Sequence, residues 1–158
     1  MTTSYIEELF NPTHRHDMLA AARKTLPADV TLVGTGVSGS ISVVTLATAL
    51  ELPFAIVRRP GDGSHSYSAS NSVDGYVEGY LEHQRWVFVD DFVATGATLL
   101  RVLRAMKKQF PDSEYAGAWF TIGFEDRSKA WKLHEPSKIR TDQGHYFNPE
   151  AGEFRKCL

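Results

Sequence analysis

The chain has a single cysteine in 158 residues, Cys157, second from the end. An internal disulfide is therefore excluded, and the usage fits a reducing compartment. An excess of one charge is missing as well. Seventeen Lys and Arg against nineteen Asp and Glu give a formal net charge of −2. That leaves no bulk basic field to attract nucleic acid or an anionic membrane, and neither is expected as a partner. No apolar run approaches bilayer-spanning length, and the opening residues Met1 to Glu8 contain no signal-peptide core. The expectation is a cytoplasmic protein. There is no internal repeat. What is present, 42% hydrophobic and 23% charged residues, is ordinary for a globular chain. The length suits one domain, 1–158, with a real core.

The organising stretch is Arg85 to Leu100. Trp86-Val87-Phe88-Val89 reads as a buried strand, and it ends in two adjacent carboxylates, Asp90 and Asp91. A small-residue loop, Phe92 to Gly96, follows. Leu99, Val102, Leu103, Met106 and Phe110 then repeat at helical spacing until Pro111. Unpaired N–H groups at the start of that helix, from Ala94 through Ala97 to Thr98, suit a phosphate. Thr95 and Thr98 add hydroxyl donors, and Gly96 permits close approach. Two carboxylates beside a phosphate cradle need sugar hydroxyls or a hydrated divalent cation to satisfy them. The ligand implied is a sugar phosphate.

Elsewhere the chain alternates helix and strand. Ser4 and Glu7 have capping-box spacing, and a helix is predicted over Tyr5 to about Phe10. Asn11-Pro12 opens a second, ending near Leu26. His14 and His16 sit two apart with Asp17 beside them, which on a helix is a solvated face rather than a metal site. Val30 to Val33 reads as a strand, Gly34 to Ser40 as a loop, Ile41 to Leu50 as a largely buried helix, and Phe54 to Val57 as a second strand. These make a right-handed βαβ unit with a parallel sheet. Gly61 to Asp74 is polar, small and aperiodic, and is expected to be mobile and functional. Tyr76 to Glu82 alternates weakly, as an edge strand would. Glu114 to Ile122 reads as a further strand, and 123–158 as an irregular cap on the sheet's carboxyl edge.

Val89-Asp90-Asp91-Phe92-Val93-Ala94-Thr95-Gly96-Ala97-Thr98 resembles the phosphoribosyl-pyrophosphate (PRPP) motif of the type I phosphoribosyltransferases. The resemblance implies an α/β fold: a central, mostly parallel sheet flanked by helices, with a core over about 12–122 and a small irregular C-terminal hood over about 123–158. It places Asp90 and Asp91 on the ribose and Ala94, Thr95, Gly96, Ala97 and Thr98 on the 5′-phosphate. Thr35, Gly36, Val37 and Ser38 become a pyrophosphate loop, with Arg58 or Arg59 as a further pyrophosphate contact. The 61–74 stretch becomes a loop closing over the reacting centre, with His65 as its one side chain titrating near neutrality. Trp119 or Phe120 could stack on the base, or be plain core. The implied reaction transfers a 5-phosphoribosyl group from PRPP to a nitrogenous base and releases pyrophosphate. Mg²⁺ is the implied cofactor, held by Asp90 and Asp91, in part through water. A homodimer is expected, with purine salvage as the setting.

Two departures from the family pattern bear on this. Hypoxanthine–guanine members carry an aspartate in the phosphate loop where this chain has Ala94, so the loop is closer to the adenine type. Orotate-type members carry lysines in the mobile loop, and 61–74 contains none. Both leave open a non-catalytic module that senses PRPP. A further rival is an NADP-binding oxidoreductase, because Gly34-x-Gly36-x-x-Gly39 matches a dinucleotide fingerprint and Arg58 and Arg59 stand where a 2′-phosphate would be met. That rival leaves Asp90, Asp91 and the second phosphate loop without a role. The basic run Arg101, Arg104, Lys107 and Lys108 reads as a solvated helix face.

Overall fold

The computed structural model of the chain describes residues 7–62, 73–122 and 131–156. Helix α1 spans Glu7–Phe10, and α2 spans Pro12–Thr25 behind an Asn11 cap whose side chain accepts from the Thr13 and His14 N–H groups. Strand β1 is Thr31–Thr35 and α3 is Gly36–Leu50. Strand β2 is Phe54–Arg58, β3 is Tyr76–Glu78 and β4 is Arg85–Asp90. Helix α4 is Ala97–Gln109 and β5 is Glu114–Phe120. A 3₁₀ turn at Pro136–Lys138 precedes a hairpin of β6, His145–Asn148, and β7, Glu153–Lys156.

The main sheet has the order β3-β2-β1-β4-β5, parallel except for β3, which pairs antiparallel with β2 at one edge. Apolar side chains alternate between its two faces, as a sheet covered on both sides requires. Leu32, Val87, Val89 and Trp119 pack against Met18 and Ala22 of α2 and Val43, Leu46 and Ala47 of α3. Val33, Val57, Trp86 and Phe88 pack on the other side against Leu99, Val102, Ala105 and Met106 of α4. The α/β architecture expected from the alternating pattern is the one found.

Two expectations change. The glycine-rich segment is not a seven-residue loop: β1 runs through Thr35 and α3 starts at once at Gly36, with Ser42 Oγ donating to the Ser38 carbonyl at 2.8 Å. Nor is α3 as fully buried as its composition suggested, since Val37 and Val44 are 73% and 44% exposed. The predicted edge strand is there, shortened to three residues. Its outward backbone groups are met by one side chain: the Val77 N–H donates to Gln109 Oε1 and Gln109 Nε2 donates to the Val77 carbonyl, both at 3.0 Å. An α4 side chain thus stands in for the next strand and closes an edge that would otherwise invite pairing.

The described part of the C-terminal segment contains more regular structure than its composition suggested. His134 bridges to Ala118 and extends the β5 edge, while Ile139 and Phe147 join the α4 side of the core. The hairpin carries Phe154 to the loop that precedes α4.

Candidate active site

The chain runs from β1 through α3 to β2 on one side of β1, then returns to β4 on the other side. The ends of β1 and β4 therefore diverge at a topological switch point, where open α/β sheets leave a crevice beyond the strand carboxyl ends. A cleft of about 270 Å³ lies there. Thr35 and Ser38 line it from β1 and α3, Asp90 and Asp91 from β4, and Ala94, Thr95, Gly96 and Thr98 from the next loop. Arg59 lines it from beyond β2. Sequence reasoning gave no role to its apolar wall, which is formed by Phe88, Phe92, Val93 and Leu99.

Two helices start at this cleft, and among the described residues neither has a capping bond from its N-cap side chain, though the Ala97 N–H of α4 donates to Thr95 Oγ1 at 3.3 Å. The N-cap of α3 is Thr35, which among the described residues makes no side-chain cap bond. That of α4 is Gly96, which has no side chain to offer. Each start carries about half a positive charge from its aligned peptides. Gly96 has φ 86°, and a Cβ built on it would fall 2.3 Å from the Phe154 ring, so both its backbone and the hairpin packed on it require glycine. Phe154 thereby braces the loop from behind. The Asp142 N–H adds a bond to the Val93 carbonyl at 3.2 Å.

Between these helix starts sit the two acids, 7% and 9% exposed. Asp90 Oδ1 accepts from the Asp91 N–H at 2.9 Å and from Ser38 Oγ at 3.4 Å. Asp91 Oδ1 accepts from the Phe92 N–H at 2.8 Å. Burial, and then the neighbouring Asp91 charge, push the Asp90 carboxyl up to about 7, against the backbone bond that favours its anion. A partner that stabilised the charge of Asp90 would oppose that rise. Such a partner is a set of sugar hydroxyls or a divalent cation, and hard oxygen donors of this kind fit Mg²⁺. Among the described residues no group of three or more His, Cys, Asp or Glu side chains could hold a metal, and His14, His16 and Asp17 form no such group.

The two arginines diverge. Arg59 borders the cleft and packs over Gly36, where an added Cβ would lie 2.5 Å from its guanidinium. Its own N–H donates to Asp62 Oδ2 at 3.0 Å. Arg58 turns toward the sheet edge and pairs with Glu78 at 3.4 Å. Gly36 and Val37 line an adjoining hollow shared by both arginines. Ala97 opens α4 in an exposed position outside the cleft lining.

Trp119 does not reach the cleft. It is fully buried against α2 and α3, and its indole N–H donates to Thr25 Oγ1 at 3.1 Å. Phe120 lies on the opposite face, with its ring 5.3 Å from that of His134. Both are core side chains: β5 ends beside β4 without turning either ring toward the acids. His65 lies outside the described residues. Arg101 corrects the reading of a uniformly solvated basic face. Arg104, Lys107 and Lys108 are exposed, but Arg101 is partly buried and donates to Thr35 Oγ1 at 2.7 Å. Only the helical position of Arg101, one turn past the phosphate loop on the sheet side of that basic run, could have signalled this.

A family model described as phosphoribosyl transferase domain matches residues 18–124. An adenine phosphoribosyltransferase of Rhodopirellula baltica is 29% identical over 147 residues, covering 84% of this chain and 64% of that protein. An orotate phosphoribosyltransferase of Streptococcus pneumoniae is 29% identical over 93 residues, covering 58% of this chain and 41% of that protein. The chain thus spans about two fifths of the length of the streptococcal relatives. Among solved structures, an orotate phosphoribosyltransferase from Aeropyrum pernix superposes with a TM-score of 0.58 at 19% identity, covering 75% of this chain and 64% of that one. Among the described residues no helix is long and apolar enough to cross a membrane.

Proposed function

The chain belongs to the phosphoribosyl transferase domain family, and we propose that it transfers a 5-phosphoribosyl group from PRPP to a nitrogen of a base, with release of pyrophosphate. The observation that carries this reading is the buried pair Asp90 and Asp91 between two uncapped helix starts. One such start suits a 5′-phosphate and the other a diphosphate, and the acids between them suit the vicinal hydroxyls of the sugar that joins the two.

In this reading the α4 start, with Thr95 and Thr98, anchors the 5′-phosphate. Asp90 and Asp91 orient the ribose so that its reacting carbon faces the acceptor nitrogen. Positive charge develops on the sugar as the carbon–oxygen bond to pyrophosphate breaks, and the buried anions are placed to offset it. The α3 amides and Arg59 take up the negative charge gathering on the leaving pyrophosphate. Phe88, Phe92, Val93 and Leu99 limit water around the sugar. Asp90 and Asp91 would hold Mg²⁺, which neutralises pyrophosphate charge when bound. The adenine-type loop at Ala94 to Thr98 and the relative in Rhodopirellula baltica support a purine acceptor, hence purine salvage, and a cytoplasmic homodimer is the assembly we propose.

The reading is tested by pyrophosphate release from PRPP and Mg²⁺ with adenine, hypoxanthine, guanine and orotate as acceptors. Turnover with one of them is the expected outcome. A melting shift with PRPP but release with no base would identify a non-catalytic sensor, the alternative that Ala94 keeps in play. No shift with saturating PRPP would remove the reading.

A further inference from the structure

Arg101 lies in the second turn of α4, and its guanidinium reaches back over the end of the sheet. One terminal nitrogen donates to Thr35 Oγ1 at 2.7 Å. The other is 3.3 Å from the Asp74 carbonyl and 3.5 Å from the Arg58 carbonyl. Thr35 Oγ1 in turn donates to the Val57 carbonyl at 2.5 Å. A threonine hydroxyl has one proton. With that proton given to Val57 and a lone pair taken by Arg101, the rotamer of Thr35 is fixed from both sides.

This has a cost and a consequence. Threonine at a helix N-cap ordinarily turns its oxygen onto the first-turn amides and stabilises the helix by about 1 kcal/mol. Thr35 occupies that position in α3 with extended backbone and makes no such bond. Thr35 is 2% exposed, and its hydroxyl is committed elsewhere. The α3 amides at the cleft are therefore left without the ligand that their own sequence supplies. Partial burial of Arg101, and then the nearby Arg59 charge, hold its guanidinium below the usual arginine range, while Asp62 and Asp74 act the other way. Placing a second cation there is unfavourable unless something depends on it.

We infer that Arg101 is a positioning residue for the diphosphate end of the site: it holds Thr35 Oγ1 away from the α3 amides, so that those amides stay open to the anion. The inference rests on the PRPP reading. It gives a role to a residue that touches no part of the sugar half of the cleft, and it separates the two phosphate sites functionally.

The test is calorimetric titration of wild type, Arg101→Gln, Arg101→Lys, Thr35→Val and the Arg101→Gln/Thr35→Val double variant, with inorganic pyrophosphate and with ribose 5-phosphate. Arg101→Gln is expected to weaken pyrophosphate about tenfold. Ribose 5-phosphate affinity is expected to stay within about twofold, because the α4 loop that binds it is untouched. Arg101→Lys, which can keep the bond to Thr35 but not both carbonyl contacts, should fall between. Thr35→Val has no hydroxyl to turn onto the α3 amides, so it should keep pyrophosphate affinity, and the double variant should regain most of what Arg101→Gln loses. Equal weakening of both ligands would show general loosening and overturn the inference. So would an unchanged pyrophosphate affinity in Arg101→Gln, or a double variant as weak as Arg101→Gln alone. If Arg101→Gln does not fold, Arg101→Lys alone and with Thr35→Val carries the same comparison. Wild type binding neither ligand would instead remove the PRPP reading, and this inference with it.

Discussion

Asp90→Asn should make the ligand-free protein more stable at neutral pH while removing the PRPP binding proposed for it. The carboxyl stands at about 7 in the folded chain against an ordinary 3.8, raised by burial and by Asp91. Below pH 3.8 both folded and unfolded chains hold the proton, and the site carries no charge penalty. As pH rises from there, the unfolded chain releases its proton while the folded one keeps it. Stability is lost progressively until about pH 7 and is flat beyond. A shift of that size corresponds to about 4 kcal/mol, taken as an upper bound. Asparagine keeps the shape and keeps an oxygen for the Asp91 N–H and Ser38 hydroxyl bonds, but it never ionises. Urea denaturation from pH 4 to 8 is the assay. The variant should match wild type near pH 4 and exceed it by about 1–4 kcal/mol at pH 8, or roughly 2–4 °C in Tm per kcal/mol for a chain of this size. Equal destabilisation at every pH would refute the reasoning, since it would show that Asp90 is a structural acceptor and not a strained charge. Gain of stability with loss of binding is the usual mark of a group kept for function.

Three further outcomes are expected. Arg59→Ala should weaken pyrophosphate about tenfold while Arg58→Ala, whose side chain pairs with Glu78, should leave it within about twofold; titration with pyrophosphate distinguishes them. Tyr115→Phe should leave stability unchanged or raise it by about 1 kcal/mol, because the Tyr115 hydroxyl is buried with no hydrogen-bond partner among the described residues; a loss above that in urea denaturation would reveal a partner. Gly96→Ala should cost about 1–3 kcal/mol through its left-handed backbone and the Phe154 ring, and Phe154→Ala should recover part of that loss in the double variant, as read by thermal melts.

The parts of this site that could be read in sequence are those whose neighbours in space are also neighbours in the chain. Asp90, Asp91 and the loop to Thr98 lie on one strand–loop–helix, where periodicity, an acid pair and a glycine occur in order, and their common location in one cleft follows from local geometry alone. The alternation of helix and strand likewise gave the mostly parallel sheet. Reading stayed open, or went astray, where residue type admits two environments. Trp119 at a strand end suits a stacking face or a core, and only the position of α2 beneath it, with Thr25 to receive its indole N–H, selects the core. Arg101 in a basic run suits solvent, and only a partner 66 residues away turns it inward. Likewise nothing in 123–158 showed that Phe154 would meet Gly96, since that contact depends on how the chain beyond His134, itself bridged to Ala118 of β5, returns the hairpin to the loop before α4.

The arrangement also explains why the dinucleotide-like glycines lead elsewhere. In that fingerprint the third glycine lets a helix approach its own strand. Here Gly39 lies close to Gly34 of its own strand, and a Cβ on Gly39 would also meet Asp90 Oδ1 and the Val89 carbonyl, each at 3.3 Å, so the helix approaches the neighbouring strand β4 as well. The glycine therefore brings the α3 start against the acid pair. That contact draws the two anion sites together, one on α3 and one on α4, with the carboxylates between them. A dinucleotide site has no use for carboxylates at that point, because they would repel its pyrophosphate. A sugar carrying phosphate at one end and diphosphate at the other needs them there, to hold the hydroxyls that separate its two anionic ends.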